Sequence, residues 1–220
     1  RAYCLFFDNP NRTFFDFARE REEAASFWAH SGEMNYYFIN GPQLLTVAER
    51  YADLTGKPEL PPLWTLGFHQ CKWSYYPESV VKDIAAKFRE ENIPCDAIYL
   101  DIDYMDGYRC FTWNHEHFPD PARMIKELDE DGFKTIVMID PGIKIDPAYW
   151  VFNEGMDKDA YLKNPDGTYA KGKVWPGPCV FPDYTKPETR EWWASLYKDL
   201  VRKMGVAAFW NDMNEPAAFE

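Results

Sequence analysis

The sequence predicts an α/β fold in which a parallel sheet follows a stretch of antiparallel strands. From residue 64 onward, short apolar runs alternate with segments whose apolar residues recur at helical spacing. The predicted strands begin near residues 64, 97 and 134, a spacing typical of consecutive βα units. The resulting (βα)₃β pattern fits half of a TIM barrel or a doubly wound sheet, and periodicity alone does not separate the two.

Before residue 64, the pattern indicates antiparallel strands and then one helix. Residues 1–40 contain short aromatic runs such as Tyr3–Phe7 and Asn35–Ile39, separated by turn-forming residues, which predicts strands of one antiparallel sheet. A helix is predicted over Gln43–Thr55, since its apolar residues lie on one face and Gly and Pro flank it. Leu60–Pro62 then reads as a stiff linker.

The first βα unit starts directly after this linker. Trp64–Phe68 is the first predicted strand, and a helix with an apolar stripe begins near Pro77, a residue that suits the first turn of a helix. Ala97–Leu100 is the second predicted strand.

The second helix has recognisable residues at both ends. Asp120 and Pro121 suit the N-cap and the first helical position, and Gly132 suits the end. Lys134–Ile139 is the third predicted strand.

A long segment separates the third strand from the next helix. Residues 140–187 are rich in Pro, Gly, Lys and Asp and predict a long β3α3 loop, which in a compact fold is usually functional. A helix over Glu188–Lys203 and a fourth strand over Val206–Phe209 complete the pattern.

Composition excludes several classes of protein. The net charge of −12 argues against nucleic-acid binding, which depends on Lys and Arg. The five cysteines form no C-x-x-C pair, and no apolar run approaches the roughly 20 residues that span a bilayer. Residues 101–112 depart from a calcium loop, and His115-Glu116-His117 lacks zinc-helix spacing, so we expect no metal and no other cofactor. The sequence leaves the cellular compartment and the oligomeric state open.

Acidic residues follow the predicted strands. Asp101 and Asp103 follow the second, Asp140 the third and Asp212 the fourth, while His69 to Trp73 follow the first. Because parallel strands point the same way, these groups should meet at the carboxyl ends of the strands, where barrel active sites lie. The alternative for each is an ordinary role as a turn or cap residue.

Five stretches resemble glycoside hydrolase family 31, the retaining α-glucosidases and their relatives. The most specific is Trp210-Asn211-Asp212-Met213-Asn214-Glu215-Pro216, which resembles the nucleophile motif of the family. The other four, which fit the family in the same order along the chain, are Gly67–Trp73, Leu100–Asp106, Asp140–Ile143 and Val174–Gly177. The likeness covers roughly residues 35 to 220.

The resemblance implies a fold and domain boundaries. It favours the N-terminal half of a TIM (β/α)₈ barrel over residues 63–220, preceded by the end of an antiparallel β-sandwich domain over residues 1–40 and a connecting helix and linker over residues 41–62. It also implies that the acid/base carboxylate lies beyond residue 220, so the chain alone should be inactive.

The resemblance further implies roles for individual residues. Asp212 matches the catalytic nucleophile, with possible support from Glu215, and Asp101 matches the residue that holds the far hydroxyls of the bound glucose. Matches to the apolar and aromatic wall of the sugar site are Ile102, Ile143, Trp175, Trp210, Met213 and Trp73. The supporting positions behind these are Asp103, Asp140, His69 and Asn214. Core packing is the alternative for the large apolar residues.

The implied activity is release of terminal α-linked glucose from oligosaccharides through a covalent β-glucosyl-aspartate. The Trp-x-Asp-Met-Asn-Glu form resembles α-glucosidases more than α-xylosidases. The alternatives are a transglycosylase or lyase on the same scaffold and a non-catalytic carbohydrate-binding fragment. An oligosaccharide is the expected partner, with no nucleic acid and no membrane.

Overall fold

The computed structural model describes residues 2–215, 217 and 218. The chain separates into two compact units, the first ending at Leu60 and the second beginning at Pro61.

The first unit contains two strand pairs and a helix. Strands β1 (Ala2–Phe7) and β4 (Tyr36–Gly41) pair antiparallel, and α1 (Leu44–Thr55) packs against both of them. Strands β2 (Thr13–Phe17) and β3 (Ala25–Ala29) form a separate antiparallel pair. The prediction of antiparallel strands is confirmed, but the single sheet was wrong, because the described strands form two two-stranded sheets.

The second unit is built on a four-stranded sheet in which all pairings are parallel. Its strands are β5 (His69–Gln70), β6 (Ala97–Leu100), β7 (Lys134–Ile139) and β11 (Ala208–Asn211), in the spatial order β11-β7-β6-β5. Helices α2 (Glu78–Glu90), α3 (Pro121–Glu130) and α5 (Pro187–Arg202) connect these strands. The α/β prediction is therefore confirmed for this unit.

The two central strands of this sheet supply much of the core of the second unit. Apart from the half-buried Tyr99, the apolar residues of β6 and β7 are buried, as is typical of strands in a parallel sheet. Large aromatic side chains complete the core, among them Tyr104, Phe118, Phe133, Tyr149 and Tyr161. These side chains belong to one hydrophobic cluster with the residues of β6 and β7.

The first predicted strand, Trp64–Phe68, was wrong. Leu63–Leu66 form a 3₁₀ turn, in which the Thr65 N–H and hydroxyl both donate to the carbonyl of Pro62. A Cβ on Gly67 would collide with the Asp96 side chain, so the chain passes this point at close approach. Regular pairing with β6 begins only at His69.

The fourth strand lies two residues later than predicted. Val206 N–H still donates to the carbonyl of Leu200, which ties it to the end of α5. Parallel pairing with β7 continues as far as Asn211, opposite Ile139, so Trp210 lies inside the strand and not in the following turn.

The predicted long loop is folded. It contains β8 (Ile143–Lys144), α4 (Trp150–Asp157), β9 (Lys171–Val174) and β10 (Gly177–Val180). The three strands form an antiparallel sheet in the order β8-β10-β9. The predicted long β3α3 loop therefore contains secondary structure of its own, in which β9 and β10 form a local hairpin and β8 pairs with β10 from further along the chain.

Candidate active site

A pocket of about 190 Å³ opens at the carboxyl ends of β6, β7 and β11. Its lining residues are Trp73, Asp101, Ile102, Met138, Trp175 and Asp212. Five of these six were predicted from the sequence, and they come from loops and strands far apart along the chain. Two carboxylates and two indoles therefore share one small cavity.

Asp212 is placed by the pairing of β11 with β7. Its backbone N–H donates to the carbonyl of Ile139 over 3.0 Å, which extends the parallel ladder by one residue. Oδ1 of Asp212 accepts from the N–H of Met213 at 3.0 Å, and the Asn214 amide donates to the Asp212 carbonyl at 2.8 Å. Met213 has a positive φ of 53°, so the chain turns sharply after the carboxylate.

Asp101 follows β6 and faces the same pocket. Its Oδ1 accepts from the N–H of Ile102 at 2.7 Å and caps a short 3₁₀ turn. Burial raises the pKa of Asp101, and the negative charges of Asp103 and Asp212 raise it further. Among the described residues, the other carboxylate oxygen of Asp101 has no hydrogen-bond partner, which leaves it available to a ligand.

Asp103 links two aromatic residues at the mouth of the pocket. Nε1 of Trp73 donates to Oδ2 of Asp103 at 3.2 Å, and the Tyr108 hydroxyl donates to Oδ1 at 3.4 Å. The Trp73 ring centroid lies 5.4 Å from that of Trp175, and the Tyr108 centroid lies 6.1 Å from it. Two aromatic side chains therefore donate to one carboxylate, and the ring of Trp175 packs against both of them. Trp73 is 65% exposed, so it presents apolar surface to an incoming molecule.

Asp140 lies directly after β7 and is buried, with only 4% of its surface exposed. Its Oδ1 accepts from the N–H of Gly142 at 3.1 Å, whereas Oδ2 is buried without a partner among the described residues. Burial raises the pKa of Asp140 to about 6, and the nearby charges of Asp212 and Glu215 contribute to the rise.

The remaining predicted residues surround the pocket or lie in the core. Ile143 is fully buried in the core, and Trp210 packs edge-on against Tyr99 with ring centroids 6.3 Å apart. Met213 packs against the small cluster of Val174, Cys179 and Phe181. The His69 ring nitrogens lie 3.2 Å from the Tyr99 hydroxyl and 3.2 Å from the Trp64 carbonyl. Asn214 and Glu215 are exposed, and Pro216 lies outside the described residues.

Met138 and Tyr108 belong to this region and were not predicted. Met138 lies opposite Trp210 in the strand register and lines the pocket. Counting two residues back from Asp140 would have placed Met138 on the same face of β7. Tyr108 reaches Asp103 from a short 3₁₀ turn, and nothing in its local sequence signals that contact.

Two further observations concern ligands and membranes. Within the part of the chain that the structure describes, no three His, Cys, Asp or Glu side chains lie close enough together to hold a metal ion. Among the same residues, no helix combines the length and apolar character needed to cross a membrane.

The fold and the pocket define a parallel α/β protein with an acidic, aromatic-walled site at the carboxyl ends of its strands. Residues 58–220 match the family profile described as the Glycosyl hydrolases family 31 TIM-barrel domain. The chain belongs to glycosyl hydrolase family 31.

Similar proteins cover nearly the whole of this chain. Alpha-glucosidase 2 of Bacillus thermoamyloliquefaciens is 43% identical over 99% of the chain, and the match spans 27% of that protein. An alpha-glucosidase of Saccharolobus solfataricus is 37% identical over 99% of the chain, spanning 31% of its own length. The chain therefore spans roughly a third or less of these two relatives.

Solved structures agree with this assignment. The Flavobacterium johnsoniae GH31 dextranase complexed with glucose superposes with a TM-score of 0.91 at 39% identity, covering 99% of this chain and 27% of the dextranase. The Family 31 alpha-glucosidase from Bacteroides thetaiotaomicron gives a TM-score of 0.88 at 39% identity, covering 98% of this chain and 36% of that structure.

Proposed function

We propose that this chain is part of a retaining α-glucosidase that releases terminal α-linked glucose from oligosaccharides. The observation that carries the proposal is that Asp212 and Asp101 share one pocket with Trp73 and Trp175. The names of the relatives, alpha-glucosidases and a GH31 dextranase, support α-glucosides as the substrate class. The second unit is then the first half of the family barrel, and residues 1–40 are the end of a β-sandwich domain.

The lining of the pocket supports a bound sugar ring, because it combines two carboxylates with two indoles. Asp101 would accept hydrogen bonds from hydroxyls far from the scissile bond and fix the orientation of the ring. The exposed indole of Trp73 would cover an apolar face of the sugar.

In the proposed reaction, Asp212 attacks the anomeric carbon and the glycosidic C–O bond breaks. A general acid protonates the leaving oxygen, and water later hydrolyses the β-glucosyl-aspartate. Negative charge on Asp212 also stabilises the oxocarbenium-like transition state. The second carboxylate remains a prediction, placed by the family resemblance beyond residue 220.

The test is covalent labelling of the full-length protein that carries these residues. A mechanism-based glucosyl inactivator should add one glucosyl group, and peptide mass spectrometry should locate it on Asp212. Asp212→Ala should abolish both labelling and turnover. As a matched control, Asp199→Asn removes an exposed carboxylate that pairs with Lys203 on α5 and should leave labelling intact. Saccharide binding without any covalent adduct would instead favour the carbohydrate-binding alternative.

A further inference from the structure

Asp140 and Asp212 lie at adjacent strand ends. In the parallel pair formed by β7 and β11, Ile139 is opposite Asn211, and the N–H of Asp212 donates to the carbonyl of Ile139. Asp140 and Asp212 are the next residues along the two strands. The end of β7 therefore determines where the Asp212 backbone lies, and Asp140 is the first side chain beyond that end.

Among the residues that the structure describes, no cation acts electrostatically on Asp140. The titratable groups that act on it electrostatically are Asp212 and Glu215 after β11, and it acts in turn on Cys110, on Cys179 of β10 and on Tyr184. These groups are acids, thiols or a phenol, so none of the described residues that interact with it can neutralise an ionised Asp140. A buried charge without a partner is strongly unfavourable.

One oxygen of Asp140 already has a structural role. Oδ1 accepts from Gly142 N–H and closes the turn that follows β7, while Oδ2 is the buried atom without a partner. A neutral carboxyl can still accept the hydrogen bond from the Gly142 N–H, and it avoids an unpaired buried charge. Ionisation would add a second negative charge at the strand end beside Asp212, and relief would require water entry or a shift of the turn.

We propose that Asp140 is a positioning residue for Asp212, whose neutral carboxyl holds the ends of β7 and β11 in the productive arrangement and whose ionisation weakens glycosyl transfer to Asp212. The inference rests on the proposed function. It assigns Asp140 the protonated form in the active state.

The first test compares the pH dependence of kcat/KM in the full-length protein and in Asp140→Asn. The amide is close in shape, can still accept from Gly142 N–H and cannot ionise. Because burial raises the pKa of Asp140 to about 6, its neutral fraction falls about tenfold between pH 5 and pH 7. The ratio of kcat/KM at pH 5 to that at pH 7 should therefore be up to about tenfold smaller in the variant. An unchanged ratio would overturn the proposal.

Glu78→Gln is the matched control, since Glu78 is another poorly exposed carboxylate, 9% exposed, with an unpartnered oxygen. It lies on α2, where it pairs with Lys82 and Arg123, away from the pocket. This variant should keep the wild-type pH profile. If it changes the profile as Asp140→Asn does, the effect is a general result of removing a buried carboxylate and the proposal fails.

A second test uses the protein without substitutions, so it tests the role of Asp140 even if Asp140→Asn does not fold. The infrared C=O band of a protonated buried carboxyl should titrate near pH 6 in the free protein. After a glucosyl inactivator esterifies Asp212 and removes its charge, the band should titrate at lower pH, because the repulsion is gone. An unshifted titration in labelled protein overturns the role of Asp140, whereas absence of labelling at Asp212 contradicts the proposed function itself.

Discussion

Trp73 and Asp103 come from different loops, and a hydrogen bond of 3.2 Å from Nε1 to Oδ2 joins them at the mouth of the pocket. The same carboxylate accepts from the Tyr108 hydroxyl at 3.4 Å. Without Asp103, the exposed Trp73 ring would have many orientations open to it. The carboxylate therefore lowers the entropic cost of presenting an aromatic face to a ligand.

We predict that Asp103→Ala weakens substrate use without unfolding the protein. A net hydrogen bond contributes about 1 kcal/mol, so kcat/KM for an α-glucoside should fall roughly five- to tenfold. Tyr108→Phe removes only the longer of the two hydrogen bonds and should have a smaller effect. Steady-state kinetics of the full-length variants provide the measurement, and equal losses in both would contradict the assigned role of the Trp73 contact.

The buried Asp140 predicts an unusual dependence of stability on pH. Its pKa rises from 3.8 to about 6 on folding, so between these values the folded protein holds a proton that the unfolded chain has released. Its contribution to the free energy of unfolding therefore falls as pH rises through this window, by up to about 3 kcal/mol. Urea unfolding at pH 4 and pH 7 should show Asp140→Asn gaining stability relative to wild type at the higher pH. If the difference in the free energy of unfolding between the two proteins is the same at both pH values, the prediction is contradicted.

Asp159 predicts that stability in its part of the second unit depends on pH in the opposite direction. Hydrogen bonds from Lys163, Lys186 and Tyr169 lower its pKa to about 2. Stability from this group is present above pH 3.8 and is lost as pH falls through about 2. Asp159→Asn should therefore destabilise the segment at pH 5 and have little effect at pH 2.

Hydrogen exchange of amides near residues 158–186 measures this local stability. Neutralising Asp199, whose carboxylate pairs with Lys203 elsewhere on the surface, should leave these amides unaffected. Equal protection of wild type and Asp159→Asn at pH 5 would show that the lysine contacts are not stabilising.

Gly155 is predicted to tolerate no side chain. A Cβ at this position of α4 would collide with the Tyr161 hydroxyl and lie 2.8 Å from the Trp192 ring. Overpacking of this kind typically costs 1–3 kcal/mol, so Gly155→Ala should lower the midpoint of thermal unfolding clearly. Gly167→Ala is the comparison. Its added Cβ would meet no atom within 4 Å, so its cost comes only from the backbone strain of a φ of +84°. A smaller loss in Gly155→Ala than in Gly167→Ala would contradict the packing argument.

Local sequence determined the main helices and two of the strands. Apolar residues at helical spacing specified α2, α3 and α5. The start of α3 also has a recognisable cap, in which the Arg123 N–H donates to the Asp120 carboxylate at 3.0 Å. The buried strands β6 and β7 have the bounds that their apolar runs predicted. Asp101 and Asp212 follow different strands and line one pocket, as parallel topology predicts for residues at the carboxyl ends of strands.

Only the tertiary structure decided the register of the sheet and the environment of each carboxylate. Strand β5 begins where His69 pairs with Ala97, and the Asp212 N–H extends the end of β11 by donating to the carbonyl of Ile139. The Asp103 contact with Trp73 and the burial of Asp140 are equally non-local. Periodicity and capping involve residues a few positions apart, so sequence reveals them. Register, burial and pKa depend on atoms brought together from distant parts of the chain, and only the folded structure specifies those neighbours.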